Sequence, residues 1–168
     1  MTSLDLDHAP ARSLRVATRS AEQTRGLAAS LAEVAAPGDR LALIGPLGAG
    51  KTQFAKGFAL GLGIDALVNS PSFTLMAEYE GRLPLFHQDL YRLAGSLDVL
   101  AGGLLDERQD DGVTLSEWAD RLDSALDPAR LRVSIEPGAG DERHIELRGH
   151  GEVADRYVEA ARRWRGRP

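Results

Sequence analysis

The stretch Gly45-Pro46-Leu47-Gly48-Ala49-Gly50-Lys51-Thr52 decides the fold of this chain. It has the spacing G-x-x-x-x-G-K-T, whose glycines let the backbone curl so that successive N–H groups point at a bound phosphate. The apolar run Leu41 to Ile44 precedes it, and apolar residues recur at every fourth position after it: Phe54, Phe58 and Leu62. The pattern predicts a strand, a phosphate loop and a helix whose N-terminal dipole favours an anion.

The residue types inside this loop indicate ATP and Mg²⁺ as ligands. Lys51 can bridge the β- and γ-phosphates as a point charge, and the hydroxyl of Thr52 is a ligand for Mg²⁺. The other residues of this segment that are expected to bind the nucleotide lie in the stretch or directly after it: Gly45, Gly48, Ala49, Gly50 and Gln53. The alternative interpretation is a glycine-rich turn with a solvated lysine. It does not account for the strand and helix predicted on either side of the loop, so nucleotide binding is favoured.

A phosphate loop also needs a carboxylate on a neighbouring strand to hold Mg²⁺, directly or through water. Two candidates end predicted strands: Asp89 after Leu83 to His87, and Glu117 after Val113 to Leu115. Ligands of open α/β sheets bind at the carboxyl edge of the strands, which is where both side chains are expected. From the residues alone, the metal ligand is one of these two.

The rest of the chain predicts strands that alternate with helices. Ser20 and Gln23 have capping-box spacing before a helical stripe that ends at Pro37-Gly38. Further strands are expected at Leu14 to Val16 and Leu75 to Tyr79, and Ser96 can cap another helix. Leu131 to Glu136 and His144 to Leu147 read as an edge hairpin, before a C-terminal helix with Val153, Tyr157, Ala161 and Trp164. The prediction is an α/β, P-loop NTPase-like three-layer sandwich with parallel strands and a C-terminal antiparallel hairpin.

Composition limits the class of protein. The chain has 168 residues, of which 43% are hydrophobic and 27% charged, with a net charge of -5 and no cysteine. We expect one domain at 13–165 with short tails at 1–12 and 166–168, no membrane association and a cytoplasmic location. The negative charge argues against a protein that coats nucleic acid, although the arginine-rich C-terminus is compatible with either a solvated face or tRNA contact.

Several other residues have both a functional and a structural interpretation. The loop Ser70 to Thr74 carries hydroxyl groups where nucleotide switches occur, but it also has the composition of an ordinary proline turn. Trp118 can stack near a base or fill the core. His87 is expected to be structural, since a lone histidine on a strand usually finds a hydrogen-bond partner.

Four blocks in order resemble the bacterial TsaE (YjeE) family of tRNA threonylcarbamoyladenosine synthesis. They are the phosphate loop, Ser70-Pro71-Ser72-Phe73-Thr74-Leu75, Phe86-His87-Gln88-Asp89-Leu90-Tyr91-Arg92-Leu93 and Ser116-Glu117-Trp118. The resemblance spans roughly Ser20 to Leu147. It departs at Pro46, where an acidic residue is common in the family, and at Ser72, where threonine is usual.

The resemblance implies an ATPase that supports a TsaB–TsaD transferase. That complex attaches threonylcarbamoyl to the adenosine 3′ to the anticodon of tRNAs that read codons beginning with A. By matching positions, Glu117 is implied as a Mg²⁺ ligand together with Thr52, and Asp89 as an aid to hydrolysis. Thr74 is implied in the switch-like loop, and Trp118 near the nucleotide.

Two other functions fit the phosphate loop. A small-molecule kinase shares this glycine placement, but it usually carries arginines on a closing lid, and Arg108 is the only arginine between Leu93 and Val113. A nucleotide sensor that does not hydrolyse ATP would use the loop at Ser70 to Thr74 to dock a partner. Turnover of ATP separates the sensor from the ATPase.

Overall fold

A computed structural model describes residues 11–69, 76–89, 107–117 and 131–167. Its strands are β1 Arg12–Thr18, β2 Arg40–Ile44, β3 Met76–Tyr79, β4 Leu85–Asp89, β5 Val113–Glu117, β6 Leu131–Pro137 and β7 Arg143–Gly149. Its α-helices are α1 Ala21–Ala32, α2 Lys51–Gly61 and α3 Gly151–Arg165, and a 3₁₀ turn covers Glu107–Asp111. None of the described helices is long and apolar enough to cross a membrane.

The strands form one seven-stranded mixed sheet in the order β1-β7-β6-β2-β5-β4-β3. Strand β2, which leads into the phosphate loop, lies between β6 and β5 and runs parallel to both. Strand β4 is also parallel to β5, whereas β3, β7 and β1 pair antiparallel with their neighbours. The predicted mixed sheet with parallel strands and a C-terminal antiparallel hairpin is confirmed.

The main core lies between one face of the sheet and the three described helices. In-register residues of parallel strands point to the same face, so Leu41, Leu115 and Leu131 form one apolar row across the centre. All three are almost fully buried, in one cluster with residues such as Phe54 and Tyr157. The helix predicted after Ser20 is confirmed, with the Ser20 side chain accepting a hydrogen bond from the Gln23 N–H at its start.

Helices α1 and α2 approach each other closely because α2 has glycines on its contact face. A Cβ atom on Gly57 would lie 2.2 Å from the carbonyl oxygen of Arg25, and one on Gly61 would lie 2.3 Å from that of Ala29. No side chain fits at these distances without moving one helix. This contact fixes the helix that begins at the phosphate loop against its neighbour.

A buried carboxylate joins the C-terminal helix to the start of β2. Asp39 is 3% exposed and accepts hydrogen bonds from Arg156 at 2.8 Å and from the Tyr157 hydroxyl at 2.7 Å. Burial, followed by the adjacent charge of Asp39, raises the pKa of Tyr157, so the phenol stays protonated and remains a donor. The cluster fixes the turn through which the chain enters the central strand.

Two sequence expectations need correction. The hairpin β6–β7 is not at the edge of the sheet, because β1 pairs along the whole length of β7.

The strand expected at Leu83 to His87 runs two residues later, from Leu85 to Asp89, and all five of its side chains are buried. Its polar groups tolerate burial because they pair across strands, as in the 2.9 Å bond from Ser116 Oγ to Gln88 Oε1. The helix expected after Ser96 lies outside the described residues.

We expect Tyr157→Phe to lower the free energy of unfolding by about 1 to 2 kcal/mol, because it removes a buried donor to the Asp39 carboxylate. The control is Tyr79→Phe, which deletes the same atom from a partly buried tyrosine whose hydroxyl has no hydrogen-bond partner among the described residues. Its effect should stay within about 0.5 kcal/mol. Urea unfolding followed by circular dichroism measures both, and equal effects would contradict the assigned role of the phenol.

Candidate nucleotide-binding site

The phosphate loop follows β2 and has a backbone that requires its glycines. Gly48 and Gly50 have φ angles of 78° and 113°, a region that other residues rarely adopt. Gly45 is required for a different reason, since a Cβ atom there would lie 2.4 Å from the carbonyl oxygen of Ile135 on β6. The loop is therefore shaped by its own torsions and by a close backbone contact with the neighbouring strand.

The backbone N–H groups of the loop are in large part available to a ligand. The Ala49 N–H donates to the Pro46 carbonyl at 3.1 Å, which closes a turn. The N–H groups of Leu47, Gly48 and Gly50 make no hydrogen bond within the part of the chain that the structure describes. Unpaired donors in such a turn, next to the N-terminus of α2, form a concave anion-binding surface.

Lys51 is the first residue of α2 and lies under the loop. Its side chain is only 5% exposed, and Nζ donates to the carbonyls of Gly45 at 2.5 Å and Pro46 at 2.9 Å. Backbone oxygens thus hold the ammonium group at the loop. From this position the ammonium group can reach an adjacent phosphate. Thr52 follows on the first turn of the helix with a partly exposed side chain, as a metal ligand requires.

Gln53 faces the first helix. Its Oε1 accepts a 2.7 Å hydrogen bond from Arg25 Nη1, so its position depends on the α1–α2 contact. A small cavity of about 60 Å³ opens beside it. The cavity is lined by Ala21, Thr24, Gly50, Gln53, Asp141 and Arg143. The start of α1 and the β6–β7 turn therefore both border the phosphate loop.

Glu117 and Asp89 are brought together by strand register. They are paired residues at the ends of parallel strands β5 and β4, and Glu117 also pairs with Leu43, two residues before the loop. Both carboxylates are nearly buried, at 2% and 4% exposure. The two side chains lie at the carboxyl edge, where their strand-end positions led us to expect them, and the register places them on the same face of the sheet.

The structure adds His87 to this pair of carboxylates. His87 Nε2 lies 2.6 Å from Glu117 Oε2, and both side chains are buried. Because an ionised carboxylate only accepts hydrogen bonds, we assign the proton to Nε2, which donates to Glu117, and His87 Nδ1 has no hydrogen-bond partner among the described groups. The expectation that His87 finds a structural partner is met, but its partner is the candidate metal ligand itself.

Arg143, which the sequence did not single out, reaches the loop from the first residue of β7. Its Nε donates to the Ala49 carbonyl at 2.8 Å, and Nη1 donates to the carbonyls of Gly140 and Glu142. No motif or spacing marks this residue, because its partner Ala49 is 94 positions away in the chain. Thr74 and Trp118, which were also predicted to belong to the site, lie outside the described residues.

Comparison with known proteins agrees with this geometry. The family model described as "Threonylcarbamoyl adenosine biosynthesis protein TsaE" matches residues 18–145. The protein named tRNA threonylcarbamoyladenosine biosynthesis protein TsaE from Bacillus subtilis is 44% identical over 147 residues, which is 87% of this chain and 90% of that protein. The protein of the same name from Treponema pallidum is 39% identical over 80% of this chain and 99% of its own length.

A solved structure shows the same fold. The crystal structure of Bacillus subtilis YdiB superposes with a TM-score of 0.72 at 38% sequence identity, and the match covers 92% of this chain and 97% of that one. The predicted P-loop fold is thereby confirmed. With a phosphate loop, two strand-end carboxylates and matches of this extent, the chain belongs to the TsaE family.

Proposed function

We propose that this protein is a Mg²⁺-dependent ATPase that supports threonylcarbamoylation of tRNA. The observation that carries nucleotide binding is the phosphate loop, where the N–H groups of Gly48 and Gly50, which make no hydrogen bond among the described residues, adjoin a buried lysine, Lys51. A triphosphate supplies the oxygens that such donors need, and the helix dipole adds to the attraction. The tRNA pathway comes from relatives named as tRNA threonylcarbamoyladenosine biosynthesis proteins.

The donor set at the carboxyl edge suits Mg²⁺ bound together with phosphate. Among the described residues, no three His, Asp or Glu side chains converge to form a complete cation cage. Mg²⁺ usually takes only one or two carboxylates and fills its octahedron with water and phosphate oxygens. The Thr52 hydroxyl and the Glu117 carboxylate would hold the ion, which would neutralise charge on the phosphates when bound.

The remaining carboxylate is placed to act on water. Asp89 lies beside Glu117 in the register of β4 and β5, one strand farther from the phosphate loop. From there it can position a water molecule, while the hydrogen bond from His87 keeps Glu117 oriented. Thr74 and Trp118 enter this proposal from the family resemblance, Thr74 in the loop that senses the γ-phosphate and Trp118 near the nucleotide.

The proposed partners are the TsaB and TsaD proteins, in the cytoplasm, with tRNA reached through their complex. The arginine-rich C-terminus gives limited support for direct tRNA binding, because Arg162 is paired with Glu159 and Arg165 donates to the Arg15 carbonyl. The kinase alternative lacks a specific supporting observation. Arg108, the one residue considered for a kinase lid, lies near the start of the 3₁₀ turn. Its side chain contacts Glu78 on β3.

The phosphate assignment predicts that Lys51→Ala weakens ATP binding about tenfold or more, since a hydrogen bond to a charged group contributes about 1.5 to 3 kcal/mol. Lys56→Ala is the matched control, because it removes the same charge from a partly exposed position of the same helix. Isothermal titration with ATP and Mg²⁺ gives both affinities. If Lys51→Ala binds and hydrolyses ATP as the unaltered protein does, Lys51 does not bind phosphate.

The metal assignment predicts that Glu117→Gln shifts the Mg²⁺ activation curve of ATP hydrolysis to about tenfold higher concentration. Gln keeps the shape of the buried side chain but lacks the charge that attracts the cation. Asp89→Asn should mainly lower the turnover rate at saturating Mg²⁺. Thermal unfolding of both variants checks that they remain folded. A larger Mg²⁺ shift in Asp89→Asn would require the two roles to be exchanged.

The coupling to partners predicts that affinity for the TsaB–TsaD complex depends on the bound nucleotide. A γ-phosphate that orders the loop at Ser70 to Thr74 should change affinity about fivefold or more between ATP and ADP. Surface plasmon resonance with ATP, ADP and no nucleotide measures this difference, and Thr74→Ala should reduce it. Equal affinity in all three states would contradict the switch, whereas binding of ATP without turnover, even with the complex and tRNA, would favour a sensor.

A further inference from the structure

Arg143 contacts the phosphate loop at the peptide whose orientation matters for a bound phosphate. Its Nε donates to the Ala49 carbonyl at 2.8 Å, and its guanidinium lies next to Gly50, where a Cβ atom would meet Arg143 Nε at 3.8 Å. In a trans peptide the C=O and the following N–H point in opposite directions. When the Ala49 carbonyl points toward Arg143, the Gly50 N–H must point to the opposite side, away from Arg143.

The torsions of the loop leave this peptide poorly constrained on its own. Gly50 has a φ of 113° and no side chain, so rotation of the peptide that precedes it is opposed by little steric hindrance. Rotation by half a turn would aim the Ala49 carbonyl oxygen, a negative dipole end, at the bound phosphate. The hydrogen bond from Arg143, which lies outside the loop, to the Ala49 carbonyl opposes this rotation.

Arg143 is itself held in place from the other side. Its Nη1 donates to the carbonyls of Gly140 at 3.1 Å and Glu142 at 2.8 Å, so the β6–β7 turn fixes the guanidinium. Nε and Nη1 of Arg143 therefore both donate to backbone oxygens. The planar fork of arginine suits this task, because one side chain can bond the loop and the turn at the same time.

We infer that Arg143 is a positioning residue for nucleotide binding, which holds the Ala49–Gly50 peptide so that the Gly50 N–H donates to the phosphates. The inference rests on the proposed ATP binding. It assigns to the β6–β7 hairpin a part in the site that the phosphate-loop motif does not contain. The backbone donors of such a loop bind the α- and β-phosphates, whereas its lysine reaches the β- and γ-phosphates. ATP and ADP should therefore depend on Arg143 equally.

The test uses Arg143→Met, which keeps much of the side-chain length but removes every donor, Arg143→Lys, and the control Arg148→Met, which alters an exposed arginine on the same strand. Titration should show that Arg143→Met weakens ATP and ADP binding by the same factor, about tenfold or more, while Arg148→Met binds like the unaltered protein. Arg143→Lys should recover part of the loss, since an ammonium group can still donate to the Ala49 carbonyl. Unchanged affinity, or a loss confined to ATP, would overturn the inference, the latter because it would mean direct contact with the γ-phosphate.

A second readout separates positioning from a loss of stability. In amide NMR spectra, ADP should shift the Gly50 signal strongly in the unaltered protein and much less in Arg143→Met, while the Gly48 signal shifts in both. Equal attenuation of both signals would indicate a general loss of loop structure and would overturn the assignment. If the unaltered protein binds neither nucleotide, the proposed function fails, whereas binding by all variants alike makes only this inference fail.

Discussion

The parallel register of β2, β5 and β4 is the constraint on which the site depends. Leu43, Glu117 and Asp89 occupy one row across these strands, so both carboxylates lie at the carboxyl edge where β2 turns into the phosphate loop. A shift of one residue in either pairing would turn a carboxylate to the opposite face of the sheet. Apolar rows behind the site, such as Leu41 with Leu115, make this shift costly because it would expose the core.

The phosphate loop is in turn held by backbone contacts rather than by side-chain packing alone. Gly45 touches the carbonyl of Ile135, the Ala49 carbonyl accepts from Arg143, and α2 is fixed against α1 through Gly57. The contacts at Gly45 and Gly57 leave no room for a side chain, because a Cβ atom would lie 2.4 Å and 2.2 Å, respectively, from a carbonyl oxygen. Preorganised donors need little ordering when a nucleotide binds, and this favours affinity.

The sequence predicted what is local in the chain and missed what is distant. The loop and its flanking strand and helix follow from spacing within one segment, and the two carboxylates were singled out because each ends a predicted strand. The bond between His87 and Glu117 spans 30 residues and that between Arg143 and Ala49 spans 94, so no periodicity indicates either. The hairpin was wrongly placed at the edge because its strands alternate polar and apolar residues, a pattern that any strand with one exposed face can share.

A rigid loop limits where the difference between ATP and ADP can be sensed. A ligand shifts a conformational equilibrium only by its difference in affinity for the two states, and a loop fixed by Ile135 and Arg143 offers one state. We therefore expect the γ-phosphate to be sensed outside the phosphate loop, as in the switch proposed for the loop at Ser70 to Thr74.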